Sequence, residues 1–168
     1  MAERKKYIAY GSNMNREQMR YRCPTARVIG TGEIKGYELV FRGKEESAYA
    51  TVEPREGASV PVVIWDIGKQ DEKSLDRYEG YPRFYKKECL EVQVGKSSES
   101  IMAYVMTQGQ ALGMPSVRYL TTIMEGYREA GFEIKRLFQC VSNCQDRMFM
   151  EQKMIIEEEK WEQQSLQG

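Results

Sequence analysis

The chain contains no histidine. That absence rules out a Ser-His-Asp or Cys-His nucleophile system, a His-ligated zinc and a histidine general base. Cysteine is sparse: Cys23, Cys89, Cys140 and Cys144 form no C-x-x-C pair. The spacing of Cys140-Val141-Ser142-Asn143-Cys144 suits neither a zinc knuckle nor a thioredoxin-type site. These four read as reduced, structural thiols, and neither a metal nor a cofactor is expected. Net charge is missing too. The 25 Lys+Arg balance the 25 Asp+Glu, leaving no basic excess for nucleic acid or an anionic membrane. No apolar run approaches the length of a membrane span. The basic residues 1–6 are not followed by the apolar core of a signal peptide, so a cytoplasmic location is expected. Carboxylate, tyrosine, lysine and cysteine remain as groups to move protons.

The chain has 168 residues, of which 41% are apolar and 30% charged. That suits one globular domain with a real core. Strand-like segments rich in Val, Ile, Tyr, Phe and Thr are predicted over residues 5–10, 27–41, 49–53, 60–67, 85–94 and 99–106. Gly36 marks a bend, and Pro54-Arg55-Glu56-Gly57 reads as a turn. Helices are predicted over 16–21, 70–78 and 116–130, the last with Ser116 as N-cap and Gly131 just past its end. Its residues Leu120, Ile123, Met124 and Tyr127 share one face. The tail, residues 145–168, scatters Met148, Phe149, Met150, Met154, Ile155, Ile156 and Trp161 among charged residues. It reads either as a charged helix packed on the domain or as one that clasps a partner. The expected division is a body over 1–140 and a helical tail over 141–168.

Two segments carry candidate chemistry. Tyr10-Gly11-Ser12-Asn13-Met14 follows the first strand. Gly11 allows positive φ or a close backbone approach, and Ser12 and Asn13 can leave successive amides pointing outward as a nest for an anion or oxyanion. The second is Leu75-Asp76-Arg77-Tyr78-Glu79-Gly80-Tyr81-Pro82-Arg83-Phe84-Tyr85. A helix ending at Glu79 would set that carboxylate at the negative end of the dipole, among Tyr78, Tyr81, Phe84 and Tyr85. Both surroundings disfavour the charged form and raise the pKa toward the range of a general acid/base. An ordinary solvent-facing Glu beside a turn is the alternative. Asp76 lies one helical turn earlier, adjacent to Glu79 rather than opposed across a substrate. It reads as a partner for Arg77, Lys73 or a backbone amide.

Taken in order, these two segments resemble the γ-glutamylcyclotransferase family, together with Tyr49-Ala50-Thr51-Val52, Val62-Val63-Ile64-Trp65, Ala103-Tyr104-Val105-Met106, Pro115-Ser116-x-x-Tyr119 and Gly126-Tyr127-Arg128-Glu129-Ala130-Gly131-Phe132. The resemblance spans about residues 5–132. It implies an α+β fold: a small mixed β-barrel of five to six strands flanked by helices, here with an added C-terminal helix. It implies an intramolecular reaction in which the α-amine of a γ-glutamyl group attacks its own γ-carbonyl, giving 5-oxoproline and a free amino acid or amine. By resemblance Glu79 is the catalytic acid/base. Tyr10, Gly11, Ser12, Asn13, Met14, Tyr85 and Tyr119 are the substrate-binding set, though the two tyrosines Tyr10 and Tyr119 also suit an aromatic core. The implied partner is a small γ-glutamyl compound. The resemblance and the apolar tail together lean toward a homodimer. A γ-glutamyl-amine or biosynthetic γ-glutamyl-removing enzyme, and a non-catalytic binder on the same fold, remain open.

Overall fold

The computed structural model describes residues 3–167. Five strands, β1 (Arg4–Ala9), β2 (Arg27–Arg42), β3 (Tyr49–Gly68), β4 (Tyr85–Val94) and β5 (Ser97–Met106), close into a barrel in the order β1-β3-β2-β4-β5. Neighbours are antiparallel except β1 and β5, which run parallel and meet at Tyr7 and Met102. The pattern is therefore mixed, as the resemblance implied. In β1 and β5 the buried end of the strand is its apolar end. Tyr7, Ile8 and Ala9 close β1, and Ile101 through Met106 of β5 are all buried. Such unbroken apolar runs belong to strands covered on both faces.

Four helices, α1 (Arg16–Arg22), α2 (Lys69–Glu79), α3 (Val117–Ala130) and α4 (Ile134–Gln167), flank the barrel, and a 3-10 turn (Ser12–Met14) links β1 to α1. Asn15 caps α1: its Oδ1 accepts from the Gln18 amide at 3.1 Å, while its Nδ2 donates to Thr122 O and Glu125 of α3. One asparagine thus starts a helix and ties it to another. The buried Asp71 performs a similar task for α2, accepting from the Gly68 amide and from both the amide and hydroxyl of Thr25. Ser116 caps α3 as expected, accepting from the Tyr119 amide at 3.1 Å.

Two expectations change. The segments predicted as separate strands over 49–53 and 60–67 are one strand, β3. The register with β2 jumps between the Lys35–Ser59 and Tyr37–Pro54 pairs, so residues 55–58 form a bulge opposite Gly36, where a turn over Pro54-Arg55-Glu56-Gly57 was expected. Both Gly36 (φ 78°) and Gly57 (φ 80°) adopt the left-handed backbone that this kink demands. The tail also differs. Residues 134–167 are one continuous helix. Its first turns bury Leu137 and Cys144 against the body, but every residue from 149 to 167 is exposed. Phe149 and Trp161 are 65% and 68% exposed. The tail is a helix, but its second half is not packed on the domain.

Candidate active site

The 3-10 turn, the C-terminal end of α2 and the barrel mouth enclose a cavity of about 330 Å³. Its walls include Gly11, Ser12 and Asn13 from the turn, Glu79 from α2, and the rings of Tyr7, Tyr10, Tyr85 and Tyr119. Tight local structure brings these groups together. Helix α2 stops because Gly80 takes the left-handed conformation (φ 65°, ψ 36°), where its amide meets Arg77 O and the Tyr81 amide meets Asp76 O. This is the glycine stop expected of a helix C-terminus. Glu79, the last helical residue, is thereby held against the turn.

Asn13 links the two segments. Its Nδ2 donates to Glu79 Oε1 at 3.0 Å and to the Tyr7 hydroxyl at 2.9 Å, and its Oδ1 accepts from Arg22 Nη1. The Arg22 guanidinium lies 3.4 Å over the Tyr78 ring, and the Tyr78 hydroxyl sits 3.2 Å from Ser12 Oγ. Burial raises the Glu79 carboxyl from 4.5 to about 7, against the opposing pull of the Arg22 charge and the Asn13 hydrogen bond. Burial rather than the helix dipole is the main cause. The facing phenols of Tyr7, Tyr10, Tyr85 and Tyr119 are raised by burial, so they stay protonated at neutral pH.

The turn bonds internally through the amides of Met14, to Gly11 O, and Asn15, to Ser12 O. The first amides of such a turn have no acceptor within it, and Gly11, Ser12 and Asn13 line the cavity. Gly11 itself has φ −126°, so of the two uses expected of it, positive φ or a close backbone approach, it does not take the first. A Cβ there would make only ordinary van der Waals contact, 3.4 Å from Ala50 Cβ and 3.5 Å from the Tyr119 hydroxyl.

Tyr85 and Tyr119 grip the same residue: the Tyr85 hydroxyl donates to Ala50 O at 2.7 Å and the Ala50 amide donates to the Tyr119 hydroxyl at 3.1 Å. The Tyr10 hydroxyl donates to Tyr104 O, so its ring faces the cavity while its polar end serves the barrel. Met14 is not among the cavity-lining residues; it is buried below the turn against Gly126 of α3. Asp76 is absent from the lining too. It pairs with Lys87 of β4 at 2.9 Å and accepts from the Tyr104 hydroxyl, rather than from Arg77, Lys73 or an amide. Tyr81 stands outside, edge-on to Tyr104 and under Lys87, and the exposed Arg83 does not line the cavity. Arg77 lines it instead, with Tyr49 and Phe84.

Sequence reasoning missed Arg22, Tyr7 and Gly126. Arg22 sits nine residues beyond Asn13, a spacing that signals nothing until α1 folds back. Gly126 signals its role only faintly, as a glycine inside an otherwise regular helix. A Cβ there would lie 2.9 Å from Met14 Cβ and 3.1 Å from the Asn15 amide nitrogen, so only glycine lets α3 approach the turn so closely.

The four cysteines are free thiols, and burial pushes Cys23 up to about 12. Among the described residues no group of three or more His, Cys, Asp or Glu is placed to hold a metal ion, and no helix is long and apolar enough to cross a membrane.

The small barrel thus sets one half-buried, near-neutral carboxylate beside the 3-10 turn. The profile described as "Gamma-glutamyl cyclotransferase, AIG2-like" matches residues 7–126, and the chain belongs to that family. It is 28% identical over 138 residues to the γ-glutamylcyclotransferases of Bos taurus and Homo sapiens, covering 77% of this chain and 73% of each relative. Among solved structures, one titled "Gamma-glutamyl cyclotransferase" superposes with a TM-score of 0.74 at 26% identity, covering 82% of this chain and 86% of that one.

Proposed function

We propose that the protein converts a γ-glutamyl amino acid or amine into 5-oxoproline and the free amino acid or amine. The reading rests on family membership and on Glu79, a half-buried carboxylate of pKa about 7 hydrogen-bonded to the turn that would cradle the substrate. The nucleophile is in the substrate. Ionised Glu79 takes a proton from the α-ammonium, and the freed amine attacks the γ-carbonyl carbon, forming the new C–N bond of the five-membered lactam. The old γ C–N bond then breaks as protonated Glu79 returns the proton to the leaving nitrogen. Gly11, Ser12 and Asn13 hold the oxygen atoms of the glutamyl group, and the rings of Tyr10, Tyr85 and Tyr119 enclose its methylenes. Holding amine and carbonyl in a near-attack geometry supplies much of the acceleration, and proton transfer by one carboxylate of matched pKa supplies the rest.

Incubation with γ-glutamyl-alanine, γ-glutamyl-lysine and glutathione, with 5-oxoproline followed by mass, tests this. Product from at least one is expected. No product from any would favour a binding protein. The homodimer belongs to the same proposal on the strength of the resemblance, and sedimentation velocity of the purified chain checks it.

A further inference from the structure

We propose that Arg22 is a positioning residue of this site: it locks the Asn13 side-chain amide with its NH2 face on Glu79. Arginine carries only donors, so the Asn13 atom facing Arg22 Nη1 must be Oδ1. That choice turns the two hydrogens of Nδ2 toward two acceptors, the Tyr7 hydroxyl at 2.9 Å and Glu79 Oε1 at 3.0 Å. An unclamped amide has a second option. Rotated by half a turn, it would offer Oδ1 to Glu79, a contact that only the protonated acid can satisfy. That state would trap the proton the reaction has to release. Arg22 forbids it.

Arg22 is held for the task. It ends α1, where a cation suits the helix dipole. Its Nη2 reaches Gln18 Oε1 at 3.2 Å, and its plane stacks 3.4 Å over Tyr78. These partners are all neutral, so its charge is left to act on Glu79. The other groups facing Glu79 are the phenols of Tyr7 from β1, Tyr10 just after it, Tyr85 from β4 and Tyr119 from α3, all held neutral by burial. The exposed Arg77, on α2 itself, stands at the cavity wall, and Lys87 is committed to Asp76. Arg22 does not line the cavity, so it acts on substrate only through Asn13 and Glu79.

The inference rests on Glu79 being the acid/base, and its test separates the two. The pH dependence of kcat/KM for 5-oxoproline formation is measured for the parent, Arg22→Gln, Arg22→Lys and Glu79→Gln, with thermal midpoints as a folding check. Ionised Glu79 is the active form, so the parent rate climbs through a midpoint near 7. Loss of the charge in Arg22→Gln should move that midpoint up by about one unit. The plateau in kcat should fall about tenfold, with KM changed less than about twofold. Arg22→Lys, which keeps the charge, should return the midpoint to within a few tenths of a unit while kcat stays severalfold low, because one ammonium cannot hold Asn13, Gln18 and Tyr78 together. An unmoved midpoint in Arg22→Gln, or a midpoint moved equally by Lys and Gln, overturns the inference. If Arg22→Gln does not fold, Arg22→Lys decides alone: a kcat equal to the parent's overturns it. Turnover retained in Glu79→Gln would instead sink the acid/base reading itself.

Discussion

Glu79 carries a cost as well as a function. Its carboxyl is held at about 7 when folded against 4.5 for an unburied group, so between those two pH values the folded state keeps a proton that the unfolded chain releases. Stability therefore falls as pH rises from about 4.5 to about 7 and is flat above. With allowance for the solvent-accessible part of the side chain, the cost is on the order of 2 kcal/mol. Glu79→Gln removes the charge and keeps the acceptor for Asn13. Its thermal midpoint should exceed the parent's by about 5 °C at pH 8 and by little at pH 5, and calorimetry at both values checks this. An equal gain at both would mean that the carboxylate is not charged and buried together. Asp76→Asn is the contrasting case. It breaks the pair with Lys87 outside the cavity, so it should weaken the fold without abolishing turnover. The sequence made the site carboxylate legible because a helix stop, a glycine and four aromatics cluster within a few residues of it. Arg22 was not legible, since its partner Asn13 is reached through the fold of α1.

Between elements, the contact that matters most for the site is α3 against the 3-10 turn, and Gly126 permits it. An added methyl must displace Met14 or the Asn15 backbone, since both lie within about 3 Å of it. Gly126→Ala should cost about 1–3 kcal/mol by overpacking. It should also raise KM and lower kcat together, because the turn carrying Gly11, Ser12 and Asn13 moves while no cavity-lining atom is changed. Steady-state kinetics beside a thermal melt check this; a melt lowered with kinetic constants intact would deny that α3 sets the turn. Capping chemistry let the sequence reveal α3, whose Ser116 and Gly131 punctuate both ends. The same local reasoning misread residues 54–57. Pro, Arg, Glu and Gly in a row satisfy turn chemistry, yet Pro54 pairs with Tyr37 and the β2–β3 ladder absorbs residues 55–58 as a bulge.

For the molecule as a whole, the barrel and the helices that flank it form one unit, and the second half of α4 is an extension from it. Residues 149–167 are exposed throughout. A chain ending at Met148 should keep its thermal midpoint within about 2 °C and its kcat/KM within about twofold. A fall of more than about 5 °C would show that the extension supports the body. Apolar strand ends and ordered motifs made the barrel legible in the sequence. Strand order was not, because closure through the single Tyr7–Met102 pairing leaves no local mark. Nor was the reach of α4: its apolar residues are too loosely periodic to define a buried face, consistent with a helix that leaves the body.

The central claim is that Glu79 moves both protons of an intramolecular cyclisation. The direct measurement is 5-oxoproline release from a γ-glutamyl substrate by the parent and Glu79→Gln, followed from about pH 5 to 9. The parent rate should rise with a midpoint near 7, and Glu79→Gln should be slower by about 10²- to 10⁴-fold with no such midpoint. Turnover by Glu79→Gln within a few-fold of the parent, or a parent profile flat across this range, would contradict the account.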